Sequence, residues 1–139
     1  MNEAPIIQTE PAGILRIFMT SGSRAHNGSG KTFSGLFQRR PLYRDIVHAA
    51  RAAGFTCSNA HFAHYGFWKG GAIQQTLGEI PNTLLSVYVD ILGSHDQLKA
   101  FCLSHETILK KTALYFKPAE AWHFGDQQAL WREVMTISK

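Results

Sequence analysis

Residues 25–32 read AHNGSGKT and follow the apolar run GILRIFM, so a glycine-rich loop ending in Gly-Lys-Thr comes after a predicted strand. This is the order of a P-loop, in which backbone N–H groups and one lysine hold the phosphates of a nucleotide. Asp90, at the end of SVYVD, resembles the aspartate that holds Mg²⁺ in such enzymes. Lys31 and Asp90 are therefore the candidates for nucleotide hydrolysis.

The surroundings of this loop argue against such an enzyme. A P-loop joins its strand directly to the N-terminus of a long helix, whereas the predicted strand ends near Met19, several residues before Ala25. Gly35 and Pro41 then allow only a short helix after Thr32. The fold also needs a parallel sheet with helices on both faces. A flexible Gly/Ser loop is the favoured interpretation, with a small nucleotide-hydrolysing enzyme as the alternative.

A second candidate is the turn of residues 68–71, Trp-Lys-Gly-Gly. As a structural feature, the double glycine lets the chain reverse direction with positive φ. As a functional feature, consecutive backbone N–H groups form a nest for an anion, to which Lys69 adds a positive charge. Arg39 and Arg40 are a weaker anion candidate, because an exposed basic pair is ordinarily solvated.

Histidines and aromatic residues suggest two further chemistries. The chain has seven histidines, but His61 and His64, three positions apart, would lie on opposite faces of a strand. No metal is predicted, and a metal-binding trimeric module stays an alternative. Tyr65, Phe67 and Tyr88 could stack on RNA bases, yet no ribonucleoprotein motif is present, so no nucleic-acid partner is predicted. No nucleophile elbow or metalloprotease histidine pair supports catalysis.

The composition is that of one globular domain. The chain has 139 residues, 45% hydrophobic and 17% charged, with a net charge of +4, which suits anionic partners without requiring them. Cys57 and Cys102 form no disulfide framework, so we expect a reducing cytoplasm. The first dozen residues contain no signal peptide or membrane span.

The predicted elements alternate between strands and helices. A helix starts at Pro41 and stops at Gly54, with Leu42, Ile46, Ala49 and Ala53 on one face. A capping box of Ser94 and Gln97 begins a second helix. The predicted elements are strand 14–18, helix 41–54, strand 55–68, loop 69–82, strand 83–92, helix 94–109 and strand 112–118.

This order predicts an α+β fold, the ferredoxin-like βαββαβ sandwich, in one domain spanning residues 1–139. Both helices cover one face of a four-stranded antiparallel sheet. Alternation places Leu84, Tyr88 and Leu92 on the other face, and an apolar face of this size requires a cover. We therefore expect self-association.

Two stretches resemble a known family, the PII-like proteins that include domain of unknown function 190. They are PLYRDIVHAARAAG and the P-x-x-L-x-x-V-x-V-D pattern of residues 81–90, and the resemblance covers residues 13–124. Residues 1–12 and 125–139 are then terminal extensions. The resemblance implies cytoplasmic homotrimers without enzymatic activity. Their subunit clefts bind an adenine nucleotide (ADP, ATP or AMP), with or without a second small anion such as bicarbonate, and they regulate a membrane transporter or an enzyme through a mobile loop between strands two and three.

The resemblance also implies a nucleotide site. Residues 66–71, GFWKGG, match the base of the mobile loop, and Lys110 and Lys111 match the turn that ends in a phosphate-binding lysine. The chain departs from the nitrogen regulators because this turn lacks glycine and the uridylylation segment is absent, so nitrogen sensing is not carried over. The implied nucleotide-binding residues are Gly66, Lys69, Gly70, Gly71, Lys110 and Lys111.

Overall fold

The computed structural model describes residues 4–24 and 40–125. Six strands and three helices follow one another in the described part of the chain. They are β1 (Ile7–Thr20), α1 (Leu42–Ala52), β2 (Cys57–Phe62), β3 (Tyr65–Gly66), β4 (Gln74–Gln75), β5 (Ser86–Gly93), α2 (His95–Ser104), α3 (Glu106–Leu109) and β6 (Ala113–Phe124).

Four of these strands form an antiparallel sheet in the order β2-β5-β1-β6. The two strands that are adjacent in the middle, β1 and β5, are separated in sequence by α1, β2 and the hairpin of β3 and β4. This is the strand order of the split βαβ arrangement. The predicted ferredoxin-like fold is confirmed.

The core lies between the sheet and the helices. Alternate residues of β1 and β5 point to the helices, and the prediction that Leu85, Val87, Val89 and Ile91 share one face is correct, because all four are buried. Val87, Val89 and Ile91 pack with apolar residues of the helices. The core cluster consists of Leu15, Ile17, Met19, Leu42, Ile46, Ala50, Val87, Val89, Ile91, Leu98, Phe101 and Leu109.

Helix α1 begins and ends close to the predicted residues, but its buried face is rotated. Pro41 is the N-cap residue, and Gly54, with φ +87°, follows the C-cap. The buried residues are Leu42, Ile46 and Ala50. Ala53 is exposed because it lies past the last helical turn, so its assignment to the core face was wrong.

The second predicted helix is divided. Its capping box is present, with the Gln97 amide N–H donating to Ser94 Oγ and the Gln97 side chain accepting from the Ser94 amide. The helix stops at His105, whose φ of −117° is not helical. The His105 ring bonds to the Phe101 carbonyl over 3.0 Å, and α3 then continues the chain towards β6.

Strands β1 and β6 are longer than predicted. They pair from Ile7–Phe124 to Phe18–Ala113, whereas β5 pairs with β1 only from Gly13 onwards. The first half of β1 and the end of β6 therefore form a two-stranded ribbon that includes part of the predicted terminal extension. Alternation assigns Leu84 to a strand wrongly, because β5 begins at Ser86 and Leu84 is exposed.

Candidate functional site

The loop between β2 and β5 carries the first half of the predicted site. We call residues 63–81 the arm. Its base is the two-residue hairpin in which Tyr65–Gly66 pairs with Gln74–Gln75, so part of the predicted strand 55–68 belongs to this hairpin. The arm lies between β2 and β5, where the family resemblance implies a mobile loop.

The predicted turn of residues 68–71 is present at the tip of this hairpin. The amide N–H of Gly71 donates to the carbonyl of Trp68 over 2.7 Å, and Gly70 has φ +74°. A turn with positive φ at its third residue is a type II turn, which favours glycine there. Gly70 is therefore required by the backbone geometry.

This turn changes how the predicted nest can work. The N–H of Gly71 is already used inside the turn, so it is not available to an anion in this conformation. Lys69 is exposed, and an added Cβ at Gly66 would meet nothing within 4 Å. The arm therefore offers a cationic side chain and open backbone around Gly66, while Gly70 and Gly71 shape the turn.

Lys110 and Lys111, the second half of the predicted site, lie in the turn between α3 and β6. Lys110 is the C-cap residue of α3, with its amide N–H bonded to the carbonyl of Glu106 over 2.9 Å. Thr112 closes the turn, because its hydroxyl and its amide both donate to the carbonyl of Leu109. Both lysine side chains are exposed and stand beside each other in the sequence.

The two halves lie at the same end of the sheet but on opposite edges. The arm leaves β2 after Phe62, which is opposite Val87, and β6 starts at Ala113, which is opposite Phe18. Three strand spacings of about 4.8 Å separate β2 from β6, which gives about 14 Å between the edges. The strand that leads into the arm and the strand that follows the lysine pair are therefore not neighbours in the sheet.

The sheet face opposite the helices, which we call the open face, carries an ion pair that sequence reasoning missed. Arg16 Nε and Nη2 donate to Asp90 Oδ1 and Oδ2, each over 2.9 Å. The hydrogen bond to Asp90 is the main reason why the pKa of Arg16 lies above its ordinary value. Asp90 therefore holds a guanidinium, which argues against the role of Mg²⁺ ligand that the P-loop interpretation would give it.

Aromatic rings surround this ion pair. The guanidinium of Arg16 lies 4.2 Å from the centroid of the Tyr88 ring, against which His61 stacks at 4.8 Å. Phe18 contacts Tyr88 and, edge to face, Tyr115. Alternation along β1 would have signalled Arg16 and Phe18 on this face, but only the strand order shows that they meet Asp90 and Tyr88.

The other candidates are separated. His61 belongs to β2, whereas His64 lies in the arm beyond the end of that strand. Within residues 4–24 and 40–125, no three His, Cys, Asp or Glu side chains are grouped to hold a metal ion. The Gly-Lys-Thr stretch and Arg39 lie outside the described residues, as does the predicted terminal segment after residue 125. None of the helices in the described ranges is long and apolar enough to span a membrane.

Among known proteins, only solved structures match this chain. Neither a model of a known protein family nor a curated protein matches the chain. Among solved structures, the chain is similar to a PII-like signalling protein from Thermus thermophilus. That match has 11% identity and a TM-score of 0.49, and it covers 86% of this chain and 96% of that one.

The chain is also similar to two structures of CPII, a nitrogen regulatory PII-like protein from Thiomonas intermedia bound to ADP, AMP and bicarbonate. Both matches have 9% sequence identity and cover 84% of this chain. The first has a TM-score of 0.47 and covers 91% of the CPII chain, and the second has a TM-score of 0.43 and covers 98% of it. The fold of this chain is assigned from its own strand order, which is that of a ferredoxin-like sandwich.

Proposed function

We propose that the protein is a PII-like regulatory protein that binds an adenine nucleotide in clefts between the subunits of a homotrimer. It has no enzymatic activity, and it regulates a membrane transporter or an enzyme. The nucleotide is ADP, ATP or AMP, with or without a second small anion such as bicarbonate. The adenine base, the trimer and the regulated target are what the sequence resemblance implies.

The observation that carries the proposal is the separation of the two cationic segments. Lys69 follows one edge strand, and Lys110 and Lys111 precede the other, at the same end of the sheet. A cleft between neighbouring subunits joins the β2 edge of one subunit to the β6 edge of the next. In such a cleft, the two segments face one anion.

The open face supports self-association independently. Phe18, Tyr88 and Ile14 are only half-buried there, Leu92 is 40% exposed, and Tyr115 is 60% exposed. Aromatic residues and arginine are enriched in protein interfaces. Covering this face with second and third copies removes apolar area from water, which stabilises the assembly.

The exposed apolar side chains of the arm support the proposal that it contacts a target protein. Phe67, Ile73, Leu77 and Ile80 are between 62% and 74% exposed, and the charged residues of the arm are Lys69 and Glu79. Exposed apolar side chains close together in one segment mark a protein interaction surface. In the proposed function, this surface meets the transporter or enzyme.

The test of the proposed site is the affinity for ADP and ATP in a Lys110→Ala/Lys111→Ala variant. A charge-assisted contact to phosphate is worth roughly 1.5–3 kcal/mol, so binding should weaken about ten- to a hundredfold. A Lys99→Ala/Arg51→Ala variant is the matched control, because it removes two exposed positive charges from the helices. Calorimetry on both variants, with light scattering to confirm the assembly, separates a phosphate contact from net charge.

A Gly71→Val variant tests the arm. We expect it to impair ADP binding while the protein stays folded and trimeric, although an added Cβ would lie 3.0 Å from the Trp68 carbonyl oxygen and disturb the turn. Wild-type affinity in both the lysine variant and Gly71→Val would refute the site. Failure of the wild-type protein to bind any adenine nucleotide would refute the whole proposal.

A further inference from the structure

Asn82 stands where the arm rejoins the sheet, and every hydrogen-bonding group of its side chain is used. Nδ2 donates to Gln74 Oε1 over 3.1 Å and to the carbonyl of Gln75 over 3.2 Å. Oδ1 accepts from the amide of Leu84 over 3.0 Å. Because two of these partners are backbone groups of fixed polarity, the placement of oxygen and nitrogen in the amide is unambiguous.

Asn82 is itself held to the sheet. Its carbonyl accepts from the amide of Leu85 and from the hydroxyl of Ser21, each over 3.2 Å. The next residue continues this attachment, since the Thr83 carbonyl accepts from the amide of Gly22 over 3.0 Å. A Cβ at Gly22 would come within 2.9 Å of Thr83. The backbone at Asn82 is therefore fixed against the end of β1.

Through these contacts, Asn82 links the end of the four-stranded sheet to the hairpin of the arm. Its two Nδ2 hydrogen bonds reach both residues of β4, one through a side chain and one through the backbone. At its other end, the arm is held by the Ala63 amide, which donates to the carbonyl of Ser86 over 3.0 Å. Without the Asn82 side chain, the hairpin would lose its hydrogen-bonded link to the point where the chain re-enters the sheet.

We propose that Asn82 is a positioning residue that fixes the arm on the sheet and thereby fixes the turn of residues 68–71. The consequence of this role for ligand binding rests on the proposed function, since that turn carries Lys69. The effect of Asn82 on the position of the arm does not depend on the proposed function. A site whose competent conformation is populated only in part has an apparent Kd raised by the inverse of that fraction. Loosening the arm therefore weakens anion binding without removing any cationic side chain.

An Asn82→Asp variant removes the two donor bonds and sets a carboxylate oxygen against their two acceptors. It has nearly the same shape and keeps an oxygen to accept from Leu84, but a carboxylate oxygen replaces Nδ2 opposite the Gln75 carbonyl. Loss of two hydrogen bonds should make opening of the hairpin about ten- to a hundredfold more frequent. Asn82→Ala loses all three bonds without adding a charge and should also open the hairpin more often than the wild-type residue does.

Amide hydrogen exchange measured residue by residue is the test. The reporters are two hydrogen-bonded amides of the arm. The Thr76 amide donates to the carbonyl of His64, and the Gly71 amide donates to the carbonyl of Trp68. A Ser94→Ala variant is the control, because it removes the cap of α2 at the other end of the sheet. We expect faster exchange at the arm reporters in Asn82→Asp and unchanged exchange there in Ser94→Ala, with the central amides of β1 and β5 unchanged in Asn82→Asp.

The ADP titration separates this inference from the proposed function. Faster arm exchange together with weaker ADP binding supports the whole proposal. Faster arm exchange in a protein that binds no adenine nucleotide supports the positioning role and refutes the proposed function. Unchanged exchange at Thr76 and Gly71 in Asn82→Asp overturns the positioning role, and faster exchange with wild-type ADP affinity overturns its link to the site.

Discussion

The ion pair of Arg16 and Asp90 can report whether the open face is covered in solution. The perturbation is a double-mutant cycle made of Arg16→Ala, Asp90→Ala and the double variant, which isolates the coupling between the two side chains. The pair is bidentate at 2.9 Å, and its side chains are 27% and 16% exposed in the single chain. Its strength therefore depends on what covers it.

The magnitude follows from the degree of solvation. Exposed ion pairs couple by about 0.2–1 kcal/mol, so a solvated open face should give about 1 kcal/mol for this bidentate geometry. Close charge pairs inside a protein interface couple by about 1.5–7 kcal/mol. If copies of the chain cover the open face, we expect a coupling of about 2 kcal/mol or more.

The assay is denaturant unfolding of the four proteins at one protomer concentration, at low salt and at about 1 M NaCl. The Debye length falls to about 3 Å at 1 M, so a solvated pair loses much of its coupling whereas a covered pair keeps it. A coupling of about 1 kcal/mol or less that disappears in salt would refute the covered face and the trimer with it. Light scattering of the wild-type protein gives an independent measure of the same assembly.

Three further outcomes can be checked on the purified protein. Gly70→Ala should lower the free energy of unfolding by about 1–2 kcal/mol, because Gly70 has φ +74°. Gly66→Ala, which has open space and no positive φ, should change it by less than about 0.5 kcal/mol; equal effects in denaturant unfolding would contradict the described turn. Burial raises the pKa of the Cys102 thiol above 9.0, so its alkylation rate should still rise with pH above that value. An alkylation rate that is already constant at about pH 9 would contradict the burial. Because the pKa of this thiol is higher in the folded than in the unfolded protein, its contribution to stability is complete below the unfolded pKa and is lost as pH rises through the folded pKa. Lys31→Ala should keep nucleotide affinity within about threefold, or about 0.7 kcal/mol. Loss of binding in this variant, together with measurable ATPase activity of the wild-type protein, would favour the P-loop enzyme.

Features that depend on neighbouring residues in the sequence could be predicted well. The alternation of Val87, Val89 and Ile91 identified β5 and its buried face, because successive side chains of a strand point to opposite sides. The capping box of Ser94 and Gln97 located the start of α2, since its two hydrogen bonds lie within one helical turn. The strand and helix order then predicted the ferredoxin-like fold.

Element lengths were less predictable, because pairing partners decide them. β1 extends from the predicted 14–18 to Ile7–Thr20 since β6 supplies a partner along nearly its whole length. The second helix divides at His105, whose φ of −117° interrupts the helical backbone before α3. The limits of β1 are set by contacts with a distant strand, which local propensity does not contain.

The site is where tertiary structure decided most. The sequence determined that the chain has a lysine beside two glycines, a lysine pair before the last strand and an isolated Asp90. Only the strand order brought Asp90 to Arg16, 74 positions away. It also placed β2, which leads into the arm, and β6, which follows the lysine pair, at opposite edges of one sheet. Charge pairing and site geometry depend on distances through space, and those distances are fixed by how strands pair rather than by spacing along the chain.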